Sequence, residues 1–193
     1  INEFNSSNPF RILYVSSLEY YKNHIQLIEI IHQLRIEGYP VTLDIVGTGK
    51  NYVRKKIINA IDDFDIDNKF IFLRGNKNHD ELVNYYHNSN LFVFASSCES
   101  FGQILLESMS SSLPILCSNL TGLDEISGKG AIYFNPFDKE DFYQKIKKLI
   151  NNKHLREKIS KQAFEISNKY SWAKCSYSTF EFLEKTYNEL SNK

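Results

Sequence analysis

Two glutamates eight positions apart, Glu99 and Glu107, stand on either side of a glycine in the segment SSCESFGQILLES. The apolar run before them, residues 91–96, reads as a strand, and residues 101–111 read as a helix. The start of such a helix leaves backbone N–H groups free around Phe101, Gly102 and Gln103, at the positive end of the helix dipole. A diphosphate seats naturally there, and Gly102 lets it approach the backbone closely. Glu107, about five residues into the helix, lies roughly 7–8 Å along the axis from its start, with Glu99 on the loop at its mouth. The carboxylates then flank a bound diphosphate, each able to accept hydrogen bonds from hydroxyls. A ligand with a ribose on one side of a diphosphate and a sugar on the other fits that layout. Taken singly, Glu99 reads better as a helix-terminal charge and Glu107 as an exposed helix residue; the joint pattern reverses that reading.

These residues need a scaffold that holds a loop-to-helix junction at the end of a strand. Short β-branched and aromatic runs at residues 11–16, 41–47, 69–75, 91–96, 115–118 and 131–134 read as strands. Residues 23–37, 51–62, 79–88 and 101–111 read as the intervening helices, clearest where Leu27, Ile28, Ile31 and Leu34 recur at helical spacing. Gly38 and Pro114 sit where two of these helices must stop. Helices at 139–151 and 155–168, and a last one from near Ser171, complete the chain. The alternation predicts an α/β fold: a Rossmann-like, doubly wound parallel sheet with helices on both faces. Ligands bind outside the carboxyl ends of such strands, which directs attention to SSLEYYKN, GTGKN, RGNKNH, SSCESFG and SNLTGLDE. GTGK lacks the spacing of a phosphate loop and follows the second strand rather than the first, so it reads as a tight turn.

The bulk properties narrow the function. Basic and acidic side chains balance at 23 each, which argues against a nucleic-acid partner. The five histidines form no HxxxH or HExxH arrangement, so no metal site is expected. Cys98, Cys117 and Cys175 are odd in number and widely spaced, and read as reduced core thiols of a cytoplasmic protein. No apolar run approaches the roughly 20 residues that span a bilayer. The opening INEFNSSNPF is polar and starts without Met, so residues 1–10 read as a linker remnant with chain removed upstream, and residues 11–193 as one domain. Trp172, Tyr177 and Phe180 read as packing residues rather than a sugar platform.

The segment SSCESFGQILLESMSSSLPILCSNLTGLDEI resembles the donor-site region of the family-four, or group 1, retaining glycosyltransferases of the GT-B fold. Their pattern is E-x-F-G, a second Glu eight positions after the first, a small-residue stretch, Pro, a strand, and G-x-x-E. Glu99 and Glu107 match the glutamates, Pro114 the proline, and Gly122 with Glu125 the later loop. RILYVSSLEYYKNHIQLIE, VTLDIVGTGK, KFIFLRGN and the YSW before the last helix follow in family order, so the resemblance covers nearly the whole chain. It implies that Glu99 contacts the transferred sugar, that Glu107 binds the ribose, and that Lys22 grips the diphosphate. Ser100, Phe101, Gly102, Gln103, Ser17 and Gly122 complete the implied donor site. Without the resemblance, Lys22 reads as a solvated surface lysine.

The chain departs from the pattern in three places. Ser17 stands where the family often has an arginine, with Arg74 the candidate substitute cation; one glycine of a pair near Thr121–Gly122 is gone; and Ser112 replaces a usual glycine. The resemblance implies a nucleoside diphosphate sugar as substrate, no cofactor and no metal. It places the acceptor site in a missing N-terminal domain of the same polypeptide, against which the last helix packs, so this chain alone would turn over poorly. Peripheral membrane association, at the inner face of the membrane, would come through that domain. Two alternatives stay open: a nucleotide-sugar epimerase of the same fold, and a non-catalytic nucleotide-sugar-binding or scaffold domain. A dinucleotide oxidoreductase is more distant.

Overall fold

The computed structural model describes residues 4–120 and 122–191. Six strands, β1 (Phe10–Val15), β2 (Val41–Val46), β3 (Ile71–Gly75), β4 (Leu91–Phe94), β5 (Ile115–Ser118) and β6 (Ile132–Phe134), form one parallel sheet in the order 3-2-1-4-5-6. The described residues form eight α-helices: α1 (His24–Ile36), α2 (Asn51–Phe64), α3 (His79–His87), α4 (Gln103–Ser110), α5 (Leu123–Ser127), α6 (Lys139–Asn151), α7 (Lys153–Ser167) and α8 (Trp172–Ser191). Parallel connections are right-handed, so the outward run β1-β2-β3 and the opposite run β4-β5-β6 put their helices on opposite faces. The packing follows suit. α1 lies against α2, β2 and α6, while α4 lies against α5 and α7.

All four residues of β4 and of β5 are buried, as expected for central strands covered on both sides. Stacked Phe134 and Phe142, with ring centroids 3.8 Å apart, fasten α6 to β6. The outer strand β3 is started by Asp65, a buried carboxylate that accepts the backbone N–H groups of Lys69, Phe70 and Ile71 at 2.8–2.9 Å.

Several features differ from the sequence expectation. Phe10, at the end of the stretch read as linker, belongs to β1: it is fully buried and its N–H donates to the carbonyl of Pro40 at 2.7 Å. Of the three cysteines only Cys117 is a core thiol, while Cys98 and Cys175 are exposed, on a loop and on α8. The helix α5 and the 3-10 turns at Tyr20–Lys22 and Gly128–Gly130 are too short to leave a periodic signal. α8 buries no residue, so Trp172, Tyr177 and Phe180 are not packing residues within this chain; they lie 69–78% exposed.

Candidate functional site

The strand order reverses between β1 and β4, and this is where a doubly wound sheet opens a crevice. Two loops meet there. The loop after β1 tightens into the 3-10 turn Tyr20–Lys22 and enters α1 through Asn23, whose left-handed φ of 55° turns the chain back. The loop after β4 is tied to it: the N–H and hydroxyl of Ser97 donate to the carbonyl of Tyr21 at 2.8 and 3.1 Å, and the Asn23 amide donates to the carbonyl of Ala95 at 2.7 Å. Below, the buried Tyr14 hydroxyl donates to the carbonyl of Lys22 at 2.8 Å. The Lys22 backbone is therefore held by β1, and its two neighbours by the loop after β4.

Its side chain is fixed as well. Lys22 is only 6% exposed, unlike the solvated lysine its sequence context suggests in isolation. The ammonium pairs with the Glu99 carboxylate across the reversal and sits 5.6 Å from the ring centre of Phe94 and 5.1 Å from that of Tyr21. An ammonium has three donors, so one bond to Glu99 leaves two for an incoming anion. Beneath it, His24 stacks on Tyr14 with centroids 4.9 Å apart and shares a hydrogen bond with the Ser16 hydroxyl at 2.9 Å. Burial, and then the neighbouring Lys22 charge, push the His24 imidazole down to about 4, so it is neutral at pH 7.

The helix starts supply the remaining donors. α4 begins on Gly102 at φ 78° and α5 on Gly122 at φ 69°, and neither has a side-chain cap. Among the other helices α3, α6 and α7 are capped by Asn78, Asp138 and Asn152, while α1 and α2 also lack a side-chain cap. A Cβ on Gly102 would stand 2.9 Å from Leu123 Cδ2, so the two uncapped starts abut. Free N–H groups and two dipole ends thus converge next to the Lys22–Glu99 pair. One turn further along α4, half-buried Glu107 accepts the Tyr86 hydroxyl at Oε2, 3.1 Å away.

With this geometry in view, the comparison with known families is decisive: residues 2–166 match the family described as glycosyl transferases group 1. The chain belongs to that family. An uncharacterized glycosyltransferase of Methanocaldococcus jannaschii is 33% identical over 159 residues, covering 81% of this chain and 43% of that protein. The capsular polysaccharide biosynthesis glycosyltransferase CapM of Staphylococcus aureus is 29% identical over 191 residues, covering 94% of this chain and 47% of CapM. This chain thus spans less than half the length of these curated relatives. Among solved structures, sucrose-phosphate synthase from Thermosynechococcus elongatus shares the fold at a TM-score of 0.83 with 18% identity, over 96% of this chain and 47% of that one. Anabaena HepE in complex with UDP does so at 0.81 with 19% identity, over 93% of this chain and 50% of that one.

Within this group 1 glycosyltransferase chain, most of the sequence-nominated residues come together. Lys22 and Glu99 touch, and Ser100, Phe101 and Gln103 line the exposed entry to α4 beside Gly102, the Phe101 ring lying 6.4 Å from that of Tyr170. Gly122 joins them through α5; Thr121, its neighbour in the thinned glycine pair, lies outside the described residues. Ser17 is exposed on the same loop as Lys22. Arg74 is not brought to the crevice. It sits on the outer strand β3, two strands from β1, where its Nε donates to Asp44 at 2.5 Å and its guanidinium lies 4.3 Å from the centre of the Phe72 ring. A cation with two local partners does not substitute for an arginine at position 17.

GTGK proves to be a turn that braces the site. Gly47, at φ 138°, lies so close to β1 that a Cβ would stand 1.9 Å from the Ser16 carbonyl oxygen, and Leu18 bridges to Gly49 just beyond. Tyr14, Asn23, His24, Ser97 and Tyr86 are the supporting residues that sequence reasoning missed. Only Asn23, a polar residue immediately before a helical pattern, carried a readable signal. Among the described residues, no group of three or more His, Cys, Asp or Glu is placed to hold a metal ion, and no helix is long and apolar enough to cross a membrane.

Proposed function

We propose that this chain is the donor half of a retaining hexosyltransferase, binding a nucleoside diphosphate sugar across the β1/β4 reversal. The single observation that carries the reading is Lys22, a buried ammonium held between two loops beside two uncapped helix starts. In this reading the diphosphate lies on the N-termini of α4 and α5, with Lys22 donating to its oxygens. Glu107 accepts the ribose hydroxyls and Glu99 a hydroxyl of the sugar. As the bond from the anomeric carbon to the diphosphate breaks, negative charge grows on the leaving oxygen. Lys22 and the α4 start meet it without reorganising. The acceptor hydroxyl attacks on the face the diphosphate leaves, and a diphosphate oxygen takes its proton.

The relatives support a saccharide product: they include CapM and the serotype-specific mannosyltransferase WbdA of Escherichia coli, while HepE has been crystallised with UDP-glucose. In our reading the acceptor site, and any contact with the inner face of the membrane, belong to chain outside these 193 residues. α8, with its uncovered aromatic side, would pack there. Titration calorimetry with UDP, GDP and ADP tests the donor reading. One diphosphate should bind, and Lys22→Met should weaken it by at least about tenfold, the worth of one charge-assisted hydrogen bond. Equal affinity in the variant, or no binding of any of the three, sinks the proposal.

A further inference from the structure

Tyr86 lies on the last turn of α3, is 2% exposed, and packs its ring on Phe92 of β4 with centroids 6.1 Å apart. A phenol so deep in an apolar layer needs a partner for its hydroxyl. It has one that is charged: the hydroxyl donates to Glu107 Oε2 at 3.1 Å, from an element 21 residues away. Burial first, and then the Glu107 charge, push the phenol far above its ordinary range, so it stays protonated and acts only as a donor toward the carboxylate. Glu107 Oε1 has no hydrogen-bond partner among the described residues. The carboxylate is therefore anchored by one oxygen, with the other left to a ligand.

We infer that Tyr86 is a positioning residue for nucleotide recognition: by fixing the Glu107 carboxylate it sets the discrimination between ribose and 2′-deoxyribose. The inference rests on the proposed ribose contact of Glu107. A carboxylate meets a vicinal diol well only when its plane is fixed, because both hydroxyls must reach oxygen lone pairs at once. A glutamate that has lost its tether recovers rotamer freedom and must be ordered again on binding. Tyr86 touches no ligand in this scheme, and its hydroxyl acts through Glu107 alone.

The test compares UDP, GDP and ADP with their 2′-deoxy counterparts by calorimetry on the wild type, Tyr86→Phe and Glu107→Gln. Phenylalanine keeps the packing on Phe92, so the melting temperature reports separately whether the fold is intact. The wild type should prefer the ribonucleotide by about tenfold or more. Tyr86→Phe should bring that preference to within about threefold by weakening the ribonucleotide more than the deoxynucleotide, which has only its 3′-hydroxyl to offer Glu107. An unchanged ratio in Tyr86→Phe, with Glu107→Gln losing the preference, would overturn the inference and spare the ribose contact. Equal weakening of both nucleotides would also overturn it, as the mark of a purely structural tyrosine. If Glu107→Gln itself keeps the ratio, the ribose contact fails and the role of Tyr86 fails with it.

Discussion

Replacing Glu99 by glutamine should make a nucleoside diphosphate bind more tightly, against the usual expectation for a site residue. In the free protein Glu99 holds the ammonium that the proposed reading gives to the diphosphate, and the two side chains are only 14% and 8% exposed. Opposite unit charges about 4 Å apart attract by roughly 4 kcal/mol at an effective dielectric of 20, a ceiling that desolvation and screening reduce. A diphosphate must compete with that attraction and then tolerate a carboxylate beside it. Removing the charge should return about 1–2 kcal/mol to binding, or about 5- to 30-fold in Kd. The free protein loses instead, because Lys22 is left buried and unpaired. The paired signature is a lower melting temperature without ligand, a larger stabilisation by the diphosphate, and little or no gain for the sugar-bearing donor, which loses its hydroxyl contact. Calorimetry on the diphosphate and the diphosphate sugar, with melting curves alongside, reads all three. Unchanged or weaker diphosphate binding in Glu99→Gln would refute the idea that the ion pair withholds Lys22.

Three other outcomes follow from the same geometry. His24 is a base whose folded value is lowered from 6.5 to about 4, so the unfolded chain binds more protons between those limits. Its stabilising contribution is complete above about pH 6.5 and is lost as the pH falls toward 4; by pH 5 denaturant titrations should show about 2 kcal/mol less stability than in a His24→Gln control normalised at pH 7. Gly47→Ala must displace the Ser16 carbonyl, since its Cβ would lie 1.9 Å away at a φ of 138°, and should cost about 3 kcal/mol or more, seen as a melting point about 6–12 °C lower. Ending the chain at Ser171 removes α8, which buries no residue, so the melting temperature should move by less than about 2 °C, and any concentration-dependent self-association of the full chain should disappear.

The fold was legible because its elements are long and repetitive relative to the signals that mark them. Apolar runs such as LFVF and ILCS, with amphipathic stretches between them, are enough to give a parallel sheet with helices on both faces. What stayed hidden was short or relational. α5 has five residues, fewer than two turns, and so offers no period to read. The support of Lys22 by Tyr14, Ser97 and Asn23, and that of Glu107 by Tyr86, joins residues up to 76 positions apart, and no local pattern encodes such a pairing. Arg74 was nominated for its charge and its place after a strand; sequence alone does not say that β2 and β3 pair Asp44 with Phe72 and skip Arg74 at a register shift, which leaves the Arg74 side chain within reach of Asp44. α8 looks like a packing helix by composition, but none of its residues is buried by the described residues.

A crystal structure of the chain with a bound nucleoside diphosphate sugar would decide whether the β1/β4 reversal is the donor site. The diphosphate should lie on the abutting starts of α4 and α5, with the Lys22 ammonium within about 3 Å of a phosphate oxygen and drawn away from Glu99, and with Glu107 on the ribose. A diphosphate seated elsewhere on the sheet, with the Lys22–Glu99 pair undisturbed, would contradict that placement.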